Sequence, residues 1–232
     1  MVDTRNRADA LFPGAQPQPR STTPRKSRSL LEWVVVLGGS ILVALLVKTF
    51  VVQAFYIPTG SMEPTLLGER RSDGTVGTGD RVIVDKVSYH LHGVNRGDVV
   101  VFANPAKATD ERAAAASSAA AVTPIDDLIK RVVALPGETV VIRDMHVYVN
   151  GTLLDEPYLP NGTPTTNGPG GATWSHSCKP TDPCTIPAGT VWVMGDNRTN
   201  SEDSRWLGPI AENTIVGRAT WIAWPLNRIS GL

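Results

Sequence analysis

Residues 30–57 read LLEWVVVLGGSILVALLVKTFVVQAFYI, and this run divides the chain into three. From Trp33 to Val47 no residue is charged, a stretch of 15. That is short of the roughly 20 apolar residues of a full membrane span. Lys48 can lay its stem along apolar surroundings while its amine reaches the interface, and Phe50, Val51 and Val52 carry the run onward. The pattern predicts one tilted transmembrane helix over 30–53. A cleaved export signal is the alternative, with Ala54 offering a small residue at the cut.

Upstream, residues 1–29 hold six basic groups against Asp3 and Asp9, a net charge of +4. Four prolines and few apolar residues leave this arm unable to bury surface, so it is expected to be disordered. Because Lys and Arg stay on the cytoplasmic side, the arm is expected inside and everything from about 54 to 232 outside. The chain is therefore expected to be a single-pass protein of the cell membrane with the lipid bilayer as a partner. The formal net charge of the whole chain is zero, which gives no global field for nucleic acid. Cys178 and Cys184 are the only cysteines, with five residues between them in HSCKPTDPCTI. An oxidising compartment makes a small disulfide loop the expected state of the pair. The four histidines show no metal-ligand spacing, and no metal or cofactor is expected.

Downstream the texture changes to short runs rich in Val, Ile and aromatics. RVIVDKVSYH, GDVVVF, ETVVIRDMHVYVNG, GTVWVMG and IVGRATWIAW read as strands, and Asn150-Gly151 as a hairpin turn. The fold class expected for 54–232 is mostly β, as twisted antiparallel sheets or a partly closed barrel. Two stretches interrupt it, an alanine-rich loop at about 106–124 and a Gly/Pro/Thr-rich loop at about 160–185.

Three short segments carry chemistry. Ser61 stands in YIPTGSMEPT (56–65), immediately after the apolar run. A serine needs a base to attack a carbonyl, and no histidine here sits in a motif that would supply one. Lysine can serve if its pKa falls, and desolvation lowers it. Lys130 stands in DDLIKRVVALPGE, where strand alternation puts it on the side of Leu128 and Val132 with Arg131 opposite. An inward lysine in such a run is unusual; an edge-strand lysine that keeps the sheet soluble is the competing explanation. The third segment, MGDNRTNSEDSRWLG (194–208), supplies Asp196, Arg198, Asp203 and Arg205 as two expected charge pairs. They would hold a hydroxyl, Ser201 or Ser204, against the amine.

Taken together, IPTGSMEPT after an apolar run, GDRVIVDK (79–86), IKRVVALPGE (129–138) and GDNRTNSEDSR (195–205) resemble, in order, the bacterial type I signal peptidases (leader peptidases). These are membrane-bound serine proteases that remove signal peptides from exported preproteins. The resemblance covers about 30–228. It implies Ser61 as nucleophile and Lys130 as general base, with an oxyanion hole from Thr59 and the Ser61 N–H. Many relatives have serine at the position of Thr59. It further implies Ser201 as the residue orienting the lysine, Asp203 and Arg205 as support, and shallow apolar pockets from Phe55, Ile57, Leu66 and Ile129. The substrates implied are preproteins with small residues at −1 and −3, and the secretion translocon is a further partner to consider. A membrane-anchored β-rich binding module without catalysis is the alternative function. It assigns nothing to Ser61 or Lys130.

Overall fold

The computed structural model describes residues 30–105, 126–166 and 182–232. The basic arm, the alanine-rich loop, and residues 167–181 of the second loop, with His176 and Cys178, lie outside the described residues. Helix α1 spans Leu30–Phe50, with Glu32 in its first turn and Lys48 in its last, signs that suit the helix dipole. Over residues 32–48, where its side chains are described, they are exposed. Taking only such residues, no helix is long and apolar enough to cross a membrane. The helix also stops before the expected boundary at 53. Val52 and Gln53 belong instead to strand β1 (Val52–Tyr56), paired with Asp85 and Val84, where β-branched residues are at home.

The remaining chain is built of two antiparallel sheets, as the alternation predicts. The larger one contains β1, β2 (Arg81–Asp85), β3 (Val99–Ala103), β4 (Asp127–Ala134), β9 (Thr190–Met194), β10 (Ile210–Ala211), β11 (Ile215–Trp224) and β12 (Ser230–Gly231). Its order is β1-β2-β11-β3-β4-β9-β10, with β12 on β11. The smaller contains β5 (Thr139–Arg143), β6 (His146–Val149), β7 (Thr152–Leu153) and β8 (Cys184–Thr185), in the order β7-β6-β5-β8. The β6–β7 turn has Asn150 and Gly151 both at positive φ, the conformation for which Asn-Gly is suited. The β5–β6 turn does the same with Asp144 and Met145, a pair that gives no such signal in sequence.

One expected strand is cut short. RVIVDKVSYH is a strand only to Asp85, and Ser88–Leu91 form a helical turn, α2. The Asp85 carboxylate accepts from the backbone N–H groups of Val87 and Ser88, an Asx-type start that competes with the ladder. The strand therefore ends before His90 and His92.

Three apolar clusters hold the sheets. Val133, Ala134, Trp192 and Met194 of the large sheet pack against Val140, Ile142, Val147 and Val149 of the small one. Val100, Phe102, Val132, Val191, Val193 and Ile210 form a second cluster. In the third, Ile57, Met62 and Leu66 lie on Val82, Val84, Val99, Val101 and Ile222. Each such fully buried side chain contributes roughly 1.5–3 kcal/mol, so the segment around Ser61 is fastened to the sheet from both sides.

Candidate active site

Ser61 lies in a single helical turn, Gly60–Met62. Met62 has no exposed surface and Ile57 almost none, while Ser61 itself is half-buried. Thr59 precedes the turn in extended backbone, φ −125° and ψ 154°, and is exposed. Gly68 packs against it so closely that a Cβ there would lie 2.2 Å from the Thr59 carbonyl carbon. Below, the Asp80 carboxylate accepts from the Leu67 N–H and pairs with Arg228, closing the loop that carries the serine.

Lys130 sits in β4 between β3 and β9, not at an edge, with Val100 as its β3 partner. It is 2% exposed, and its Nζ is 2.7 Å from Ser61 Oγ. Burial lowers the amine to about 8, against the opposing pull of Asp203 and Glu202. Arg131 goes the other way along the strand. Its guanidinium donates from Nε at 2.9 Å and from one terminal nitrogen at 2.7 Å to Asp196, and to the Gly97 carbonyl.

The segment after β9 closes over both residues. Gly195 lies where a Cβ would be 2.2 Å from Ser201 Oγ and 2.4 Å from the Ser61 carbonyl oxygen, so only glycine fits. The Asp203 carboxylate accepts from the Gly195 N–H at 2.9 Å and from Arg205 at 2.7 and 2.8 Å. Burial would push this carboxyl up, but the Arg205 guanidinium and the Gly195 N–H hold it below the usual range. Asp203 also caps the turn Ser204–Leu207, α3. Ser204 is committed to the Val193 N–H at 2.9 Å, which leaves Ser201 as the available hydroxyl. Ser201 is buried, and its hydroxyl also helps to hold the Asp203 carboxyl down.

Of the two charge pairs expected here, Asp203–Arg205 forms and Asp196–Arg198 does not. Asp196 is taken by Arg131 and by the Thr65 hydroxyl at 2.6 Å. Arg198 instead pairs with Glu156 and donates to Thr165 Oγ1 at 2.7 Å, and Arg205 donates to the Thr166 carbonyl at 2.8 Å. The segment 156–166 is thus fixed to the loop after β9 by two buried arginines. Sequence reasoning missed Arg131, Thr65 and Glu156 as parts of the site. For Arg131 the available signal was a second cation in the same apolar run as Lys130, and for Thr65 its place in YIPTGSMEPT. Glu156 carried none.

Of the four expected pocket residues, Phe55 and Ile129 are partly exposed, whereas Ile57 and Leu66 are buried in the cluster beneath them. Cys184 is held in a disulfide; its expected partner, Cys178, lies outside the described residues. The His146 ring is exposed and bonded to the Asp144 carbonyl, and His92 is exposed. A serine hydroxyl bonded to a buried amine held down to about 8 can be deprotonated at its oxygen without an imidazole.

Residues 30–224 match the family model described as signal peptidase, peptidase S26. The chain is similar to signal peptidase I of Leptolyngbya laminosa, 35% identical over 226 residues, which covers 97% of this chain and 95% of that one. Signal peptidase I of Mycobacterium tuberculosis (strain ATCC 25618 / H37Rv) is 35% identical over 233 residues, covering 88% and 76%. Signal peptidase I T of Bacillus subtilis (strain 168) is 31% identical over 209 residues, covering 90% and 92%.

Proposed function

The chain belongs to the signal peptidase family, peptidase S26, and we propose that it cleaves signal peptides from preproteins with Ser61 as nucleophile and Lys130 as general base. The observation that carries the assignment is the 2.7 Å contact between Ser61 Oγ and an amine that is 2% exposed.

The neutral Lys130 takes the Ser61 proton as Oγ attacks the carbonyl of the residue at −1. The oxyanion is met by the Ser61 N–H and the Thr59 hydroxyl. Lys130, now an ammonium, gives its proton to the departing amine, which becomes the new N-terminus of the mature protein. The signal peptide is left as an ester on Ser61. Water then attacks that ester as the neutral amine takes its proton, the amine returns the proton to the departing Ser61 Oγ, and the peptide leaves as an acid that ionises to a carboxylate in solvent. Phe55 and Ile129, over the floor of Ile57 and Leu66, bound shallow apolar pockets that admit small side chains at −1 and −3. Asp203, fixed by Arg205, and the Ser201 hydroxyl keep the amine facing Ser61.

The membrane is the second part of the proposal. A 21-residue helix is roughly 31 Å long at 1.5 Å per residue, near the thickness of a hydrocarbon core. The apolar sequence of 33–47 and the basic arm before it support a single span with residues 1–29 in the cytoplasm. Anchoring enzyme and signal peptide in one bilayer raises their effective concentration.

The test is a cleavage assay on a preprotein with alanine at −1 and −3, together with labelling by a serine-reactive acyl probe. Wild type cleaves and is labelled; Ser61→Ala and Lys130→Ala do neither. Cleavage by Ser61→Ala would overturn the assignment.

A further inference from the structure

Asn197 lies between the two buried charges Asp196 and Arg198, and nothing in the mechanism above uses it. Its side-chain amide donates from Nδ2 to the Gly60 carbonyl at 3.0 Å, and its backbone N–H donates to the Ser61 carbonyl at 3.1 Å. The other end of the amide, Oδ1, accepts from Thr199 Oγ1 at 3.4 Å, which fixes the amide with its NH₂ toward Gly60.

The Gly60 carbonyl and the Ser61 N–H are two ends of one planar peptide unit. In a trans peptide they point in opposite directions, so whatever holds the carbonyl aims the N–H. Within the turn, Gly60 O has only the Glu63 N–H, at 3.2 Å. One bond in a three-residue turn is weak restraint on the tilt of a peptide plane. Asn197 adds a donor from outside the turn. It stands on firm ground, because Asp196 is tied to Arg131 and Arg198 to Glu156. A hydrogen bond to the carbonyl also polarises the peptide and makes its N–H a stronger donor.

We infer that Asn197 is a positioning residue that aims the Ser61 N–H at the oxyanion of the tetrahedral intermediate. This rests on the assignment of Ser61 as nucleophile. The interaction gains strength only as negative charge develops on the carbonyl oxygen, so Asn197 acts on turnover and not on substrate binding.

The experiment uses the full chain in detergent and a preprotein with alanine at −1 and −3. Asn197→Ala and Asn197→Leu both remove the donor without adding charge, and the two differ in bulk, so one reports if the other fails to fold. Two peptide ligands of the same sequence are compared. One ends in an aldehyde, which Ser61 converts to a tetrahedral adduct; the other ends in the corresponding alcohol, which it cannot. Each variant is expected to lower kcat about tenfold, the cost of one hydrogen bond, and to weaken the aldehyde by the same factor. KM and alcohol affinity stay within about twofold of wild type, and the pH midpoint of the rate within about 0.3 pH unit. The inference is overturned if either folded variant turns over at the wild-type rate. It is also overturned if alcohol and KM weaken as much as the aldehyde, or if the pH midpoint moves, since Lys130 would then be the group disturbed. A dead Ser61→Ala beside a full-rate Asn197→Ala sinks this inference alone; an active Ser61→Ala sinks the assignment beneath it.

Discussion

Lys130→Met separates what the buried amine does for catalysis from what it costs the fold. Burial lowers the amine from 10.5 to about 8 in the folded chain, whereas the unfolded chain titrates near its ordinary value. Between those two values the folded state binds fewer protons than the unfolded one, so stability rises with pH across that window. Below about 8 both states are protonated, and the folded state bears the whole cost of a buried ammonium. The gap between 10.5 and 8, at about 1.36 kcal/mol per pH unit, amounts to ~3 kcal/mol. Methionine has similar bulk and no charge, but it forfeits the hydrogen bond to Ser61, worth about 1 kcal/mol at any pH. The variant should therefore be more stable than wild type by about 2 kcal/mol at pH 6 and less stable by about 1 kcal/mol above pH 10.5. Urea unfolding of the full chain in detergent, followed by tryptophan fluorescence from pH 6 to 11, measures the crossing. The same titration governs the rate. The neutral fraction is about 10% at pH 7 and about 90% at pH 9, so acylation should rise roughly tenfold over that range and then flatten. Lys130→Met should be inactive throughout. A stability difference that does not change with pH, or a wild-type rate that is flat from pH 6 to 9, would refute the reasoning.

Thr59→Ala should slow turnover by about 10²–10³-fold with little change in KM, the usual cost of one oxyanion donor, and Thr59→Ser should be close to wild type. Arg131→Ala strands the Asp196 carboxylate in the interior and should lower stability by about 3–5 kcal/mol in denaturant titration; Arg131→Met with Asp196→Leu should recover most of it. Gly195→Ala forces a methyl against the Ser61 carbonyl and Ser201, and a displacement of that kind should cost at least ~10² in kcat on the same preprotein. Protease added outside spheroplasts should remove an epitope at the C-terminus and spare one at the N-terminus; the reverse pattern would exclude the proposed orientation.

The parts of this site that were legible in sequence are those with a local signature. Ser61 follows an apolar run into a Pro/Gly turn, and Lys130 interrupts β-branched residues, so each stands out against its neighbours. The Asn150-Gly151 hairpin was legible for the same reason, since its turn chemistry is contained in two residues. Partner choice among charges was not. Asp196 and Arg198 are close in the chain, yet their partners are Arg131 and Glu156, 65 and 42 residues away. The shape of the β9–α3 loop points them apart, and only the packed sheet brings the distant partners in. The end of RVIVDKVSYH failed for a related reason. Val, Ser and Tyr read as a continuing strand, but the Asp85 carboxylate accepts from the Val87 and Ser88 N–H groups in place of a neighbouring strand. That Leu66 and Ile57 are buried while Phe55 and Ile129 keep some surface was not legible either, because residue type does not say how much chain will lie above a residue.

The two arginines that grip the segment 156–166 have a consequence for how this protein can vary. Arg198 holds Glu156 and Thr165, and Arg205 holds the Thr166 carbonyl. Both guanidiniums are rooted in the loop that also carries Asp203. Thr166 is consequently a mooring: the chain is tied up there before it travels on toward Cys184. Changes in the chain past that mooring have to act through Thr166 before they reach the site. The reacting atoms would be sheltered from them. Insertions and tags placed just after Thr166 should therefore be tolerated, and the same changes made a few residues earlier, between Glu156 and Thr165, should reach the chemistry directly.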